Sequence, residues 1–295
     1  MNKIYSYKLH SISLISVIIF ASGALNIPYT NYNGNSLVAF LAAAVIGIAA
    51  VASLALCVNI ITSNFGGITS KIITVALGAA LIFASVVSCV DAAVSFCRFV
   101  GDIMLPQTQK WFIFICFAAV MVVFAKSRES AILKFSLITA VLNATLILLL
   151  LLYCFKSLSF ENLFENKIVI NKDFFAQGFK CFCEIFLPAV TALSFIALSL
   201  GRVEPSCASI GAAAGGVILA ICIAQCLMIF GETIAGATDY AYMASVGTVT
   251  TGSLFTRPDG FAYVMFFASY IIKASLGAKT TVMLIKKIIK KSRSV

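Results

Sequence analysis

Two ionisable side chains lie deep inside apolar runs of this sequence, where a charge is costly to place. Asp91 follows Ser-Cys-Val in one run, and Lys273 follows Ser-Tyr-Ile-Ile in another. Ionisable residues in membrane-length apolar runs are rare, face the interior of a helix bundle and often mark ligand or ion sites. Asp91 and Lys273 can therefore pair across the bundle as a structural ion pair, or they can contact a ligand or line an ion path.

The stretch Phe20–Pro28, FASGALNIP, places helix-weakening and polar residues at the end of an apolar run. Gly23 loosens the helix, Pro28 removes a backbone donor, and Ser22 and Asn26 offer polar groups to the freed backbone. Interrupted helices of this kind form substrate sites near the middle of the membrane in many transporters. The alternative is a proline at the helix end, with a glycine that permits tight packing.

A second interruption lies between Glu184 and Ser194, in the stretch EIFLPAVTALS. Pro188 leaves the carbonyl about four residues earlier without its helical donor. Interruptions in the first and sixth apolar runs are expected when two inverted repeats of five helices face each other. We therefore predict that the two segments meet around a ligand. The predicted ligand-binding residues are Ser22, Gly23, Ala24, Asn26, Thr191 and Ser194.

The composition indicates a membrane protein. Of the 295 residues, 61% are hydrophobic and 11% are charged, and the mean hydropathy is +1.06, whereas soluble domains carry about 25% charged residues. Apolar runs long enough to cross a ~30 Å hydrocarbon layer, which takes about 20 helical residues, recur along the chain. The sequence predicts an all-α, polytopic transmembrane bundle that forms a single domain over residues 1–295 and lies in a lipid bilayer.

Charge and turn signals divide the chain into eight spans and one further candidate, 233–256, which is rich in Thr, Gly and Ser. Lys3 and Lys8 precede the first span, so the positive-inside tendency places the N-terminus in the cytoplasm. The basic C-terminal tail favours the same side, which requires an even number of spans, whereas a ninth span places the tail outside. The predicted spans are 11–29, 37–58, 72–97, 111–125, 135–155, 183–201, 208–231, 233–256 and 260–285.

Several functional classes find no support in the sequence. No nucleophile with a base, phosphate loop or zinc-protease helix is present, so we expect neither enzymatic activity nor a cofactor. The ten cysteines lie mostly in or beside apolar runs, where they act as small hydrophobes, and no ligand set completes a metal site. The basic residues are scattered through loops and the tail, which favours lipid contact over nucleic acid.

Two further expectations concern the second half of the chain. Gly211 and Gly215 repeat small residues at a four-residue spacing, which predicts close helix packing. Glu232 and Asp239 follow the seventh apolar run, and we expect both side chains to lie near an aqueous mouth.

Five short stretches follow one another in order along most of the chain. They are Leu105-Pro106-Gln-Thr108-Gln-Lys-Trp111, Phe230-Gly231-Glu, Tyr240-Ala-Tyr242, Gly252-Ser-Leu-Phe255-Thr-Arg257-Pro-Asp259 and Lys273-Ala-Ser275. This succession resembles the spore germination permeases, the B subunits of bacterial nutrient germinant receptors. The chain departs from the family pattern at Gln109, where the family has proline, and at Phe186-Leu-Pro188, where the family often has a glycine-rich segment ending in glutamate.

The resemblance implies a fold similar to that of the amino acid, polyamine and organocation transporters, with broken first and sixth helices around a small-molecule pocket. Members of the family usually have ten spans, and this chain ends after the counterpart of the ninth. The implied function is to sense a small, amino acid-like nutrient together with other receptor subunits, in a bacterial cell or spore inner membrane. The alternatives are an amino-acid transporter coupled to protons or Na⁺, with Asp91 as a proton site, and a membrane scaffold that binds no ligand.

Overall fold

The structure, a computed structural model, describes residues 2–26, 36–63, 71–163, 172–249 and 259–292. Within these ranges the chain is almost entirely helical and contains no strand. The α-helices are α1 Asn2–Gly23, α2 Ser36–Ser63, α3 Lys71–Phe99, α4 Lys110–Lys126, α5 Glu129–Cys154, α6 Phe160–Leu163, α7 Lys172–Cys181, α8 Ala189–Leu200, α9 Pro205–Ala237, α10 Ala241–Thr248 and α11 Asp259–Ser292. Short 3-10 turns follow α1 and α5, and π turns follow α3 and α7.

Within the described part of the chain, six helical stretches are long and apolar enough to cross a membrane. Their outward faces are strongly apolar: Val45 and Phe83 are each 71% exposed. Helices satisfy their own backbone hydrogen bonds, which is why they can cross lipid with apolar side chains turned outward. The chain is therefore a helical membrane bundle. The six stretches are Ser36–Ile61, Ala76–Met104, Glu129–Ser157, Lys172–Leu200, Pro205–Ala237 and Asp259–Ile289.

Two other predicted spans, 11–29 and 111–125, correspond to shorter apolar helices. The apolar part of the first is Tyr7–Gly23, and α4 has 17 residues, so both fall below the length of about 20 residues that a perpendicular span requires. The helical stretch that corresponds to the sixth predicted span, 183–201, begins earlier than predicted, at Lys172. A count of eight or nine spans, and an inverted repeat, remain predictions.

The candidate span 233–256 is not one continuous helix in its described part. Helix α9 continues to Ala237, Tyr240 adopts a left-handed conformation with φ 52°, and α10 follows with eight residues. Eight helical residues cover about 12 Å, well short of the hydrocarbon thickness. Residues 233–249 therefore do not form one continuous helix, because the left-handed residue separates two helical directions, and a ninth span remains a prediction. Residues 250–256 lie outside the described residues.

Helix α1 lies at the centre of the bundle. Nearly every side chain from Ser11 to Leu25 is buried, and α1 packs against α5, α8, α9 and α11. A helix that is apolar on all sides must be surrounded by other helices or by lipid, and here the surrounding surface is protein. The first apolar run is thus a core element that positions its neighbours.

Glycines allow α9 to lie directly against the backbone of α1. A Cβ atom at Gly211 would stand 2.8 Å from the Ile12 carbonyl oxygen, and one at Gly215 would stand 2.8 Å from the Ser16 carbonyl oxygen. Both distances are below any ordinary contact, so the two helices approach this closely only because these positions lack side chains. The prediction of close helix packing at these two glycines is confirmed.

Helix α9 changes direction at Gly231, whose φ of 72° and ψ of 168° interrupt the helical ladder. The Met228 carbonyl accepts hydrogen bonds from the Ser159 backbone N–H at 3.0 Å and from Asn162 Nδ2 at 3.2 Å. Because a carbonyl freed from its ladder is costly in a membrane protein, the segment around α6 satisfies this one. Only glycine adopts such a backbone conformation readily.

Contacts between helix ends place the two ends of the chain at one end of the bundle. Lys8, near the start of α1, forms an ion pair with Glu204, just before α9. His10 lies beside Leu133 and Lys134, near the start of α5, and Lys279 of α11 donates a hydrogen bond to the Ser127 carbonyl between α4 and α5. The beginning of α1 and the C-terminal part of α11 therefore lie on the same side.

We expect tags fused to the N-terminus and to the C-terminus to be accessible from the same face of the membrane. The positive-inside tendency predicts that this face is the cytoplasmic one. Thiol-reactive or protease accessibility of each tag can be compared in intact cells and in inside-out vesicles. Protection of one tag and exposure of the other in the same preparation would contradict this arrangement.

Candidate functional site

The predicted interruption at Pro188 is a π turn followed by a new helix. The Leu187 N–H donates to the Phe182 carbonyl at 3.2 Å, and the Val190 N–H donates to the Leu187 carbonyl at 3.0 Å. Pro188 has no N–H to donate, so the carbonyl of Glu184 loses its usual helical partner. The helix therefore widens at the π turn, and a new helix begins after Pro188. The side chains on the turn consequently point in directions that differ from those in a regular α-helix. Helices that contain a π turn often carry functional residues there.

The interruption in the first run lies at the end of α1 rather than inside it. Helix α1 runs unbroken to Gly23 and continues as the 3-10 turn Ala24–Asn26. A Cβ atom at Gly23 would stand 2.8 Å from Leu219 Cδ1 and 3.1 Å from Ile185 Cδ1. The space beside Gly23 is thus filled by protein, and tight packing, the alternative left open by the sequence, is what the structure shows. Pro28 lies outside the described residues.

A cavity of about 410 Å³ lies between the end of α1, α3 and the π turn. Its polar lining comes from Ser22 on α1, Ser88 and Asp91 on α3, and Glu184 on the turn. The rest of the wall includes Leu187 and Pro188 and, on α3, Phe83 and Val87; because Phe83 is also one of the outward-facing side chains, the cavity opens toward the outer face of α3. Pockets for small ligands have volumes of about 300–1,000 Å³ and combine apolar walls with a few convergent polar groups. This cavity has those properties.

Asp91 and Lys273 form an ion pair beside the cavity, with Lys273 Nζ 2.7 Å from Asp91 Oδ2. The Lys273 side chain is only 1% exposed, whereas that of Asp91 is 55% exposed. The lysine also lies over the Tyr270 ring, with Nζ 5.9 Å from the ring centroid. The ion pair that the sequence allowed is therefore present. It is asymmetric, because the Lys273 ammonium group is buried inside the bundle whereas the Asp91 carboxylate faces the cavity.

The close approach of α3 and α11 explains how this pair forms. A Cβ atom at Gly277 would stand 2.7 Å from the Ser85 carbonyl oxygen and 2.9 Å from Cys89 Cβ. Gly277 and Lys273 are four residues apart and therefore lie on one face of α11. The glycine brings that face against α3, so the lysine reaches Asp91 without leaving the interior.

The other polar side chains that line the cavity, Ser22, Ser88 and Glu184, differ in their hydrogen-bond partners and charged neighbours. The Ser22 hydroxyl donates to the Ile18 carbonyl at 2.7 Å, within its own helix. The Ser88 hydroxyl is buried and has no hydrogen-bond partner among the described residues. Glu184 is half-buried, and its nearest charged neighbours include Lys180 and Asp91. A donor or acceptor is therefore available to a bound molecule at Ser88, and two carboxylates are available at Asp91 and Glu184.

Most of the other predicted ligand contacts do not line this cavity. Thr191 and Ser194 are fully buried on α8, and neither hydroxyl has a hydrogen-bond partner within the described ranges. Ala24 is buried, and Asn26 is the last residue of the 3-10 turn. Among the predicted ligand-binding residues whose side chains the structure describes, Ser22 is the one that borders the cavity.

No family model, curated protein or solved structure matches this chain. The function of the cavity therefore has to be inferred from its geometry and chemistry. Within the described residues, no group of three or more His, Cys, Asp or Glu side chains is placed to hold a metal ion.

Sequence reasoning missed one residue of the site and misplaced an acid elsewhere in the fold. Glu184 belongs to the interruption at Pro188 but was not predicted to contact the ligand, although an acid four residues before a proline faces a widened turn. Glu232 was expected at an aqueous mouth, and that expectation was wrong. Its side chain is 7% exposed and accepts a hydrogen bond from the Ser36 backbone N–H at 3.0 Å, because the first N–H groups of α2 need an acceptor. Asp239 is exposed, and its position near an aqueous mouth remains a prediction.

Proposed function

We propose that the chain is a permease-like membrane subunit that binds a small, amino acid-like nutrient, with the protonated amino group of the nutrient held by Asp91 and Glu184. The observation that supports this proposal is the asymmetry of the cavity. Two carboxylates line it, while the cation that pairs with one of them is buried behind the wall. Lys273 pairs with Asp91 and Lys180 acts on Glu184, but neither lysine lines the cavity, so the charged groups that face a bound molecule are the two carboxylates.

Opposite unit charges 4 Å apart attract by about 4 kcal/mol at an effective dielectric constant of 20, and a hydrogen bond to a charged group contributes about 1.5–3 kcal/mol net. An ammonium group between Asp91 and Glu184 would gain both terms. The apolar wall at Leu187 and Pro188 would contact a short side chain of the ligand.

The resemblance to spore germination permeases supports the wider assignment. On that basis the subunit senses a nutrient in a bacterial cell or spore inner membrane and passes the signal to other receptor subunits. Binding can shift the bundle between two arrangements only if the ligand has different affinities for them. The π turn is the element of the site whose conformation can differ between such arrangements.

The direct test is a thermal-stability panel on the purified protein with amino acids, alkylamines, carboxylic acids and neutral amides. A ligand present at a hundred times its Kd stabilises the folded state by about 2.7 kcal/mol. We expect amino acids or alkylamines to raise the melting temperature and carboxylic acids without an amino group to leave it unchanged. Glu184→Gln should weaken amine binding about tenfold, because it removes a charge-assisted hydrogen bond.

The matched control is Glu161→Gln, which changes an exposed acid on α6 that does not line the cavity. Equal loss of binding in both variants would overturn the role of Glu184. The absence of any shift across a panel of amino acids, amines and sugars would support the third hypothesis, a scaffold that binds no ligand.

A second candidate function is proton- or Na⁺-coupled amino-acid transport. It is favoured by the position of Asp91, which lies near the middle of the candidate span Ala76–Met104 and faces a cavity. Carboxylates at such depth mark proton and ion paths in transporters. Concentrative, gradient-dependent uptake into proteoliposomes that contain this chain alone would favour transport, whereas saturable binding without uptake would favour sensing.

A further inference from the structure

A second cavity lies at the end of the bundle that carries the beginning of α1. It has a volume of about 340 Å³ and lies where α1 begins, α8 ends and α9 begins. Its lining includes Tyr7, Lys8, Ser199, Arg202, Glu204 and Cys207. Because these residues lie at helix ends rather than at mid-length, the cavity is at the level of the membrane surface. The proposed function above makes no use of it.

The loop that carries Arg202 is held in place by the rest of the fold. Gly201 ends α8 in a left-handed conformation with φ 82°. Asn59 of α2 then binds both backbone groups of Val203: its Nδ2 donates to the Val203 carbonyl at 2.7 Å, and its Oδ1 accepts from the Val203 N–H at 2.8 Å. Two hydrogen bonds from one amide fix the loop, so the Arg202 side chain starts from a defined backbone position.

The charges around this cavity are unequal. Lys8 Nζ lies 2.9 Å from Glu204 Oε2, and the hydrogen bond from Lys8 lowers the pKa of the Glu204 carboxyl, with the charges of Lys8 and Arg202 acting in the same direction. Two cations therefore act on one carboxylate. The cavity has a surplus of one positive charge that the described residues around it do not balance.

Two further groups favour an anion. The Glu204 carboxylate accepts a hydrogen bond from the Cys207 thiol at 3.6 Å but caps no backbone N–H of α9, so the backbone donors at the N-terminal end of α9, which carries a partial positive charge, are not satisfied by this side chain. The Ser199 hydroxyl is buried and has no partner among the described residues. Helix N-termini, basic side chains and hydroxyl donors are the groups that proteins use to bind phosphate.

We propose that this cavity binds a phosphate group at the membrane surface, through Lys8, Arg202 and the N-terminal end of α9. Such a group is available from the headgroup of an anionic phospholipid or as a free phosphate. Basic pockets between membrane helices on the cytoplasmic side bind anionic headgroups in this way. The Tyr7 ring, which is 48% exposed, lies at the depth where aromatic rings contact the headgroup region.

The experiment has two arms, both on the full chain in a neutral detergent. In the first, inorganic phosphate is titrated and the melting temperature is followed. In the second, native mass spectrometry counts bound phosphatidylglycerol and, at equal concentration, phosphatidylcholine. We expect phosphatidylglycerol to bind in preference to phosphatidylcholine. Since each basic residue near the surface contributes about 1 kcal/mol to such binding, Arg202→Gln and Lys8→Gln should each weaken it about fivefold.

Glu204→Gln should have the opposite effect on anion binding. It removes the carboxylate that competes with the anion for Lys8 and Arg202, so binding should become stronger. Lys126→Gln, at the end of α4, is the matched control: it removes an exposed positive charge that does not line the cavity. Effects in Arg202→Gln but not in Lys126→Gln would support the site. Melting temperatures without added anion show that each variant is folded.

The two arms separate the sources of the phosphate. Binding of both probes, each sensitive to Arg202→Gln, would show that the phosphate group alone is sufficient. Binding of phosphatidylglycerol alone with the same sensitivity would assign the site to a lipid headgroup. The proposal is overturned if neither probe binds, or if the Arg202, Lys8 and Glu204 variants bind phosphatidylglycerol as the unaltered chain does.

Discussion

Asp91→Ala should destabilise the folded bundle by about 3–5 kcal/mol, the range observed when one partner of a buried ion pair is removed. The reason is the asymmetry of the pair: Lys273 is almost fully enclosed, so the substitution leaves an ammonium group in the interior without its carboxylate. The midpoint of denaturant or thermal unfolding of the purified protein measures this loss.

Lys273→Met should cost clearly less, because the remaining carboxylate of Asp91 faces a cavity and can be hydrated there. The double variant Asp91→Ala with Lys273→Met should recover much of the stability lost by Asp91→Ala alone, since no charge is left unpaired. This double-mutant cycle isolates the pair from other effects of the two substitutions. Equal losses in both single variants, with additive losses in the double variant, would show that the pair contributes no coupling.

Gly215→Ala should destabilise the bundle by about 1–3 kcal/mol, the usual range for overpacking. The new methyl group would meet the Ser16 carbonyl oxygen and Ile19 Cβ, both of which belong to the main body of α1 and cannot rotate aside. Helix α1 would have to move away from α9, which would loosen the centre of the core. Gly211→Ala should act in the same way against Ile12 and Ile15.

The control for this prediction is Gly236→Ala, in the same helix. A Cβ atom there would have no neighbour within 4 Å, and alanine is the better helix former by about 1 kcal/mol. We therefore expect Gly236→Ala to leave stability unchanged or to raise it slightly. A loss at Gly236 as large as that at Gly215 would indicate that the glycines are needed for flexibility and not for close packing.

The membrane class and most helix positions were predictable because lipid leaves the chain few options. Apolar runs of sufficient length must be helical there, since every backbone group has to find a partner within the chain. The pair between Asp91 and Lys273 was predictable for a similar reason, because each charge in an apolar run needs compensation.

The details of the site were not predictable, because they depend on helix rotation and depth. Ser22 and Gly23 are adjacent in sequence, yet one borders the cavity and the other contacts Leu219. The burial of Glu232 depends on the position of Ser36, almost two hundred residues away. Tyr240 adopts a left-handed conformation that interrupts the candidate span 233–256. The sequence contains no signal for it, because such conformations in non-glycine residues are set by tertiary contacts.

The bend at Gly231 divides α9 into two segments. The longer segment packs directly against α1 at Gly211 and Gly215. The shorter segment begins at Glu232, whose carboxylate accepts a hydrogen bond from the start of α2. The Met228 carbonyl, just before the bend, is satisfied by the α6 segment. The two segments of α9 are therefore anchored to different helices, the longer segment to α1 and the shorter segment to the start of α2.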